Sequence, residues 1–157
     1  MSDLKKFRLV LGVFILALIF SGITAFPLQR ELALLSAWIK TETHAGLGYW
    51  ILTVRNGLDD AYAKYPWIAY ATDWLAFAHI IIAMFFIGPL IDPVRNVWIL
   101  KAGLIACVLV IPLALICGEV RQIPFGWRLI DCSFGVLGAV PLYYCLRLTK
   151  RLEKPNR

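Results

Sequence analysis

The chain has 157 residues, 61% hydrophobic and 17% charged, with a formal net charge of +6 at pH 7. Soluble domains average about 45–50% apolar and about 25% charged, so both departures exclude an ordinary soluble domain and point to a single integral membrane domain. The basic balance is not that of a nucleic-acid binder. Lys5, Lys6 and Arg8 near one end and Arg147, Lys150, Arg151, Lys154 and Arg157 at the other flank apolar runs, with no basic and aromatic groove pattern beside them.

The first span is predicted over residues 9–26, directly after Lys5, Lys6 and Arg8. Its apolar run is longer than the core of a signal peptide, so it reads as a retained helix. Residues 27–65 form an outer segment rather than a simple loop. Leu28, Leu32, Leu35 and Ile39 recur at helical spacing with Trp38 beside them, and Trp50, Val54, Leu58 and Tyr62 do the same. His44–Gly48 separates the two patterns, which predicts two short amphipathic helices at the outer interface and makes His44 a solvated turn residue. Tyr62, Tyr65, Trp67 and Tyr70 then form an aromatic belt.

The second span, residues 67–90, carries the most informative residues. Asp73 and His79 interrupt an otherwise apolar run. Ionisable groups at membrane depth cost a few kcal/mol each and face a protein interior, a cavity or a partner. Ala69, Thr72, Ala76, His79 and Ala83 draw one helical stripe of small residues around the histidine, the pattern by which membrane helices approach closely. Asp73 lies on the shoulder of that stripe. In the inner loop, Asp92 followed by Pro93 predicts an N-cap with proline in the first helical position.

The third span covers residues 97–117, with Gly103, Ala106, Val110 and Ala114 on one face, and the fourth covers 127–148, with Asp131, Gly135 and Gly138 on one face. Between them Gly118–Asp131 reads as a compact charged outer loop, with turns marked by Gly118, Pro124 and Gly126 and with Glu119, Arg121 and Arg128 on it. Placement of Lys and Arg favours both termini on the cytoplasmic side of a bacterial-type inner membrane. Four cysteines contain no C-x-x-C pair. Cys107 and Cys145 read as small apolar residues within spans. Cys117 and Cys132 fall near the same end of adjacent spans, where two packed thiols are favoured over a bridge.

These spacings predict an all-α protein: a single four-helix transmembrane bundle over 1–157 with amphipathic interfacial helices on the outer side. If the stripes meet, Asp73 and Asp131 converge in the outer leaflet with Glu119, Arg121 and Arg128, and His79 forms the floor. Asp73, His79 and Asp131 are then the candidates for any proton transfer, and Glu119, Arg121 and Arg128 the candidates for binding a head group. The ligand class expected is a membrane lipid or a small isoprenoid-like amphiphile. The alternative is a non-catalytic accessory or assembly subunit, with a membrane-protein partner or a second copy packed on the small-residue stripes. No metal site is predicted, since no H-E-x-x-H spacing occurs; two histidines with one outside the membrane argue against haem; and no G-x-S-x-G marks a serine nucleophile. No cofactor is identified from these residues.

Overall fold

Apolar runs of more than twenty residues can satisfy their backbone groups in a bilayer only as helices or closed barrels. The computed structural model takes the helical solution throughout. It describes residues 2–39 and 46–153, and among these no strand occurs. The helices are α1 (Asp3–Ala25), α2 (Leu28–Trp38), α3 (Leu47–Lys64), α4 (Ala69–Phe85), α5 (Ile87–Ile91), α6 (Val97–Val120) and α7 (Phe125–Leu152), with a single 3₁₀ turn at Pro66–Ile68 before α4. Four segments, Asp3–Ala25, Pro66–Ile91, Val97–Val120 and Phe125–Leu152, are long and apolar enough to cross a membrane. Their exposed side chains are mainly apolar, as on the α1 stripe Leu9, Val13, Leu16 and Phe20. Contiguous apolar area on this scale is that of a membrane-facing or partner-facing surface rather than an aqueous one. The chain reads as a multi-pass membrane protein.

The segments sit where hydrophobic length predicts them, but two details differ. The second is not one continuous helix. Pro89 cannot donate to the carbonyl of Phe85, and the helix breaks at Phe86, whose own N–H turns to Ala83 at 3.2 Å. The expected fourteen-residue loop between the third and fourth spans is only the turn Arg121–Pro124, because α6 continues through Gly118 to Val120 and α7 begins at Phe125. A Schellman closure replaces the expected glycine turns. Ile123 N–H donates to Gly118 O at 2.8 Å and Gln122 N–H to Glu119 O at 3.0 Å, with Gln122 itself at φ 57°.

The chain divides into two compact units, one within Met1–Ala17 and Ile82–Arg157 and the other within Leu18–Ile81. The first, the α6–α7 unit, is organised by close approach of two antiparallel helices. A Cβ on Gly135 would collide with the carbonyl of Cys107, and one on Gly138 would lie 2.9 Å from the Cys107 sulfur. Further along, a Cβ on Gly103 would lie 2.8 Å from Phe86 and 2.9 Å from Leu142. Glycine at these positions is what lets the backbones approach. Phe7, Leu11, Leu100, Leu142, Cys145 and Leu148 are fully or almost fully buried around this seam, and Phe14 meets Phe86 edge to face at 5.0 Å. Arg8 donates to the last carbonyls of α5, Leu90 O at 3.3 Å and Ile91 O at 3.5 Å, where a cation complements the helix end. Asp92 caps, but not α6 itself. Its Oδ1 accepts from Arg95 N–H at 3.0 Å across the turn Pro93–Asn96, and α6 starts only after it, at Val97.

In the second, the α2–α3 unit, helices form where the spacings of Leu28–Ile39 and Trp50–Tyr62 predict them. Arg55 ties the two together. Its Nη1 donates to Ser36 Oγ at 2.8 Å, it pairs with Asp59 at 3.7 Å one turn along α3, and Gln29 Nε2 donates to Asp59 Oδ1 at 3.0 Å. Leu32 and Ile51 fill the space beneath. The expected turn at His44 lies outside the described residues, as do Lys154 and Arg157.

Candidate functional site

The six residues singled out by sequence fall in different units, and each group is described by itself. Asp73 and His79 belong to the α2–α3 unit, and both are half-buried on α4. The stripe that contains His79 and that Asp73 flanks packs as small-residue stripes do. Gly22 of α1 faces it, and a Cβ there would lie 2.8 Å from Ala76 O and 3.1 Å from His79 Cβ. Ala76 is fully buried. The His79 ring turns back on its own helix, with Nδ1 2.8 Å from Leu75 O. A carbonyl only accepts, so Nδ1 donates in this geometry. Asp73 forms no hydrogen bond or ion pair to the described residues.

The N-terminal end of the same stripe lines a cavity. Ala69 and Thr72 form one wall, Phe26, Leu28 and Tyr62 the apolar remainder, and Gln29 and Arg30 the polar rim, around a volume of about 380 Å³. Thr72 donates its hydroxyl to Ala69 O at 2.7 Å, which leaves its oxygen lone pairs toward any other donor. Arg30 and Gln29 were not singled out by sequence reasoning. Pro27, which stops α1 and starts α2, is the one local signal that the chain turns a corner there. That the corner lies against Tyr62 and Thr72 is a tertiary fact.

In the α6–α7 unit the charged residues sit at the turn end of the hairpin. Arg128 is the built one. Its Nε donates to Ile123 O at 2.8 Å, its Nη1 binds Glu119, and its side chain is only 14% exposed against 73% for Glu119. Gly118 makes room for it, since a Cβ there would lie 2.5 Å from Arg128 Cδ. The guanidinium also lies 5.6 Å over the Phe125 ring. These contacts give Arg128 a structural role in closing the turn. Arg121 is exposed on the turn and has no carboxylate partner among the described residues. Asp131 is half-buried nearly two turns into α7 and makes no described side-chain bond.

All four cysteines are free thiols. Cys132 faces α6, its sulfur 3.9 Å from Ile111 O, whereas Cys117 is exposed. Among the described residues no three His, Cys, Asp or Glu side chains gather to hold a metal ion. No family model matches this chain, and neither any curated protein nor any solved structure matches it.

Proposed function

We propose that the protein binds, and in the fuller form of the reading acts on, a small amphiphilic molecule with an anionic head, a lipid or an isoprenoid-like compound. The observation that carries it is the cavity between the α1–α2 corner, Tyr62 and the N-terminal end of the α4 stripe. Its lining is amphipathic: apolar walls for a hydrocarbon tail, and Arg30 with Gln29 for a head group. Pockets for small ligands are typically about 300–1,000 Å³ with a few placed polar groups, and this one falls within that range. Asp73, adjacent to Thr72 in sequence and without a described partner, is the group proposed for proton transfer, with His79 below it on the same helix. Asp131, Glu119, Arg121 and Arg128 are kept as a second polar group, of which Arg121 is the member available to a ligand.

The proposed membrane arrangement has both termini cytoplasmic, α2 and α3 at the outer interface of a bacterial-type inner membrane, and the cavity entered from the outer leaflet. The alternative of an accessory subunit asks for small-residue stripes facing outward. The stripes on α4 and α7 are instead occupied within their own units, by Gly22 against Ala76 and by Gly135 and Gly138 against Cys107, which favours the ligand reading.

The test uses the full chain in detergent with farnesyl phosphate and farnesol as probes. Binding of farnesyl phosphate that weakens on Arg30→Gln while farnesol binding does not, together with loss of both on Ala69→Phe, supports the reading. Farnesyl phosphate binding that survives Ala69→Phe, or no binding by the native chain, ends it.

A further inference from the structure

A second site lies on the α6–α7 unit and does not depend on the cavity just described. An open groove of about 300 Å³ runs between the two helices. Val108 and Ile111 line it from α6, and Val136, Ala139, Val140 and Tyr143 from α7, with almost no polar atom on its surface. The groove ends in cations. Arg147 stands one turn beyond Tyr143, donates from Nε to the Tyr143 hydroxyl at 3.1 Å, and holds its guanidinium carbon 4.9 Å over the Tyr143 ring. Helical side chains lean toward the N-terminus, so this contact brings the charge back over the mouth of the groove. Lys101 is exposed on α6, seven residues before Val108 and therefore on the same face. Neither cation pairs with a carboxylate among the described residues.

The dimensions fit one leaflet. From Lys101 to Ile111 and from Val136 to Arg147 the helices rise about 15–17 Å, and half of a hydrocarbon core is about 15 Å. We infer that this face binds an anionic phospholipid, with one acyl chain in the groove and the phosphate between Arg147 and Lys101. Lys150, exposed one turn further along the same α7 face, adds to the positive field there. A partner helix would cover the apolar wall but would give the two cations no counter-charge. A phospholipid covers the wall and neutralises the charge together.

The test is retention of added lipid by the full chain in native mass spectrometry, comparing phosphatidylglycerol with phosphatidylcholine of identical acyl chains. The native chain is expected to favour phosphatidylglycerol. Lys101→Gln and Arg147→Gln, both at exposed positions, should each lower its retention about fivefold and together bring it to the phosphatidylcholine level. Ala139→Phe, which fills the groove, should reduce retention of both lipids. Equal retention of the two lipids by the native chain overturns the inference, as does native-level retention of phosphatidylglycerol in the double glutamine variant. Efficient oxidation of a Val140→Cys variant to a covalent dimer in membranes would place a second copy on the groove and overturn it as well.

Discussion

Two arginines seven residues apart at the α6–α7 turn show how burial separates structural from available charge. Arg128 is shielded, stacked on Phe125, and bonded both to Glu119 and to the Ile123 carbonyl, whereas Arg121 makes none of these contacts. Removing a charged hydrogen-bond donor from a shielded acceptor costs roughly 1–3 kcal/mol, while an exposed substitution stays within about 0.5 kcal/mol. Arg128→Ala should therefore lower the thermal midpoint in detergent clearly, and Arg121→Ala should leave it in place; equal midpoints would remove the structural role given to Arg128. Asp73 makes the opposite case. Its clustering in sequence terms with Asp131 and with Arg121 or Arg128 implies that Asp73→Asn either destabilises the protein, by stranding an arginine, or abolishes ligand binding. With no described partner, Asp73→Asn strands no opposite charge. Its expected effect is an unchanged unfolding midpoint with altered ligand binding, and a large drop in midpoint would reveal a cationic or hydrogen-bond-donating partner of Asp73 instead.

Among the helices, glycine has two meanings that sequence does not separate. In α7, Gly135 and Gly126 look alike on paper. Gly135 is buried against the Cys107 carbonyl, while a Cβ on Gly126 meets nothing within 4 Å. Overpacking a close helix contact costs about 1–3 kcal/mol, so Gly135→Ala should destabilise the α6–α7 seam. Where space is open, replacing a helical glycine by alanine gains about 0.5–1 kcal/mol from backbone entropy and propensity. Gly57 on α3 also has nothing within 4 Å, so Gly57→Ala should raise the midpoint. Paired unfolding curves of the two variants check both signs. Element boundaries were less legible than element existence. Gly118 and Gly126, read as turn markers, lie inside helices, since Gly118 serves Arg128 and the turn is made by Gln122 in the left-handed region. Asp92 and Pro93 do cap, but they cap one turn ahead of α6.

For the whole molecule, charge placement makes a directional prediction. Positions 92 and 122 flank α6 and should be on opposite sides of the membrane. In a chain lacking its native cysteines, a cysteine at Gln122 should react with an impermeant reagent from outside, and one at Asp92 only after permeabilisation. Reversed labelling would invert the proposed arrangement, and equal labelling of both would remove α6 as a span.

Hydrophobic length and helical period are local properties, and they determined the all-helical class, the four membrane-length segments and the two helices between the first and second. The small-residue stripe around His79 was legible for the same reason, because phase along one helix is fixed by 3.6 residues per turn. Tertiary packing decided which side of each stripe is filled. It set Gly22 on Ala76 and seated Arg128 over Gly118. It also placed Arg30 and Gln29 on the rim of a cavity walled by residues some forty positions away, and aligned Arg147 with the groove between α6 and α7. No spacing within one segment encodes those meetings, because each depends on the volume left when two helices meet.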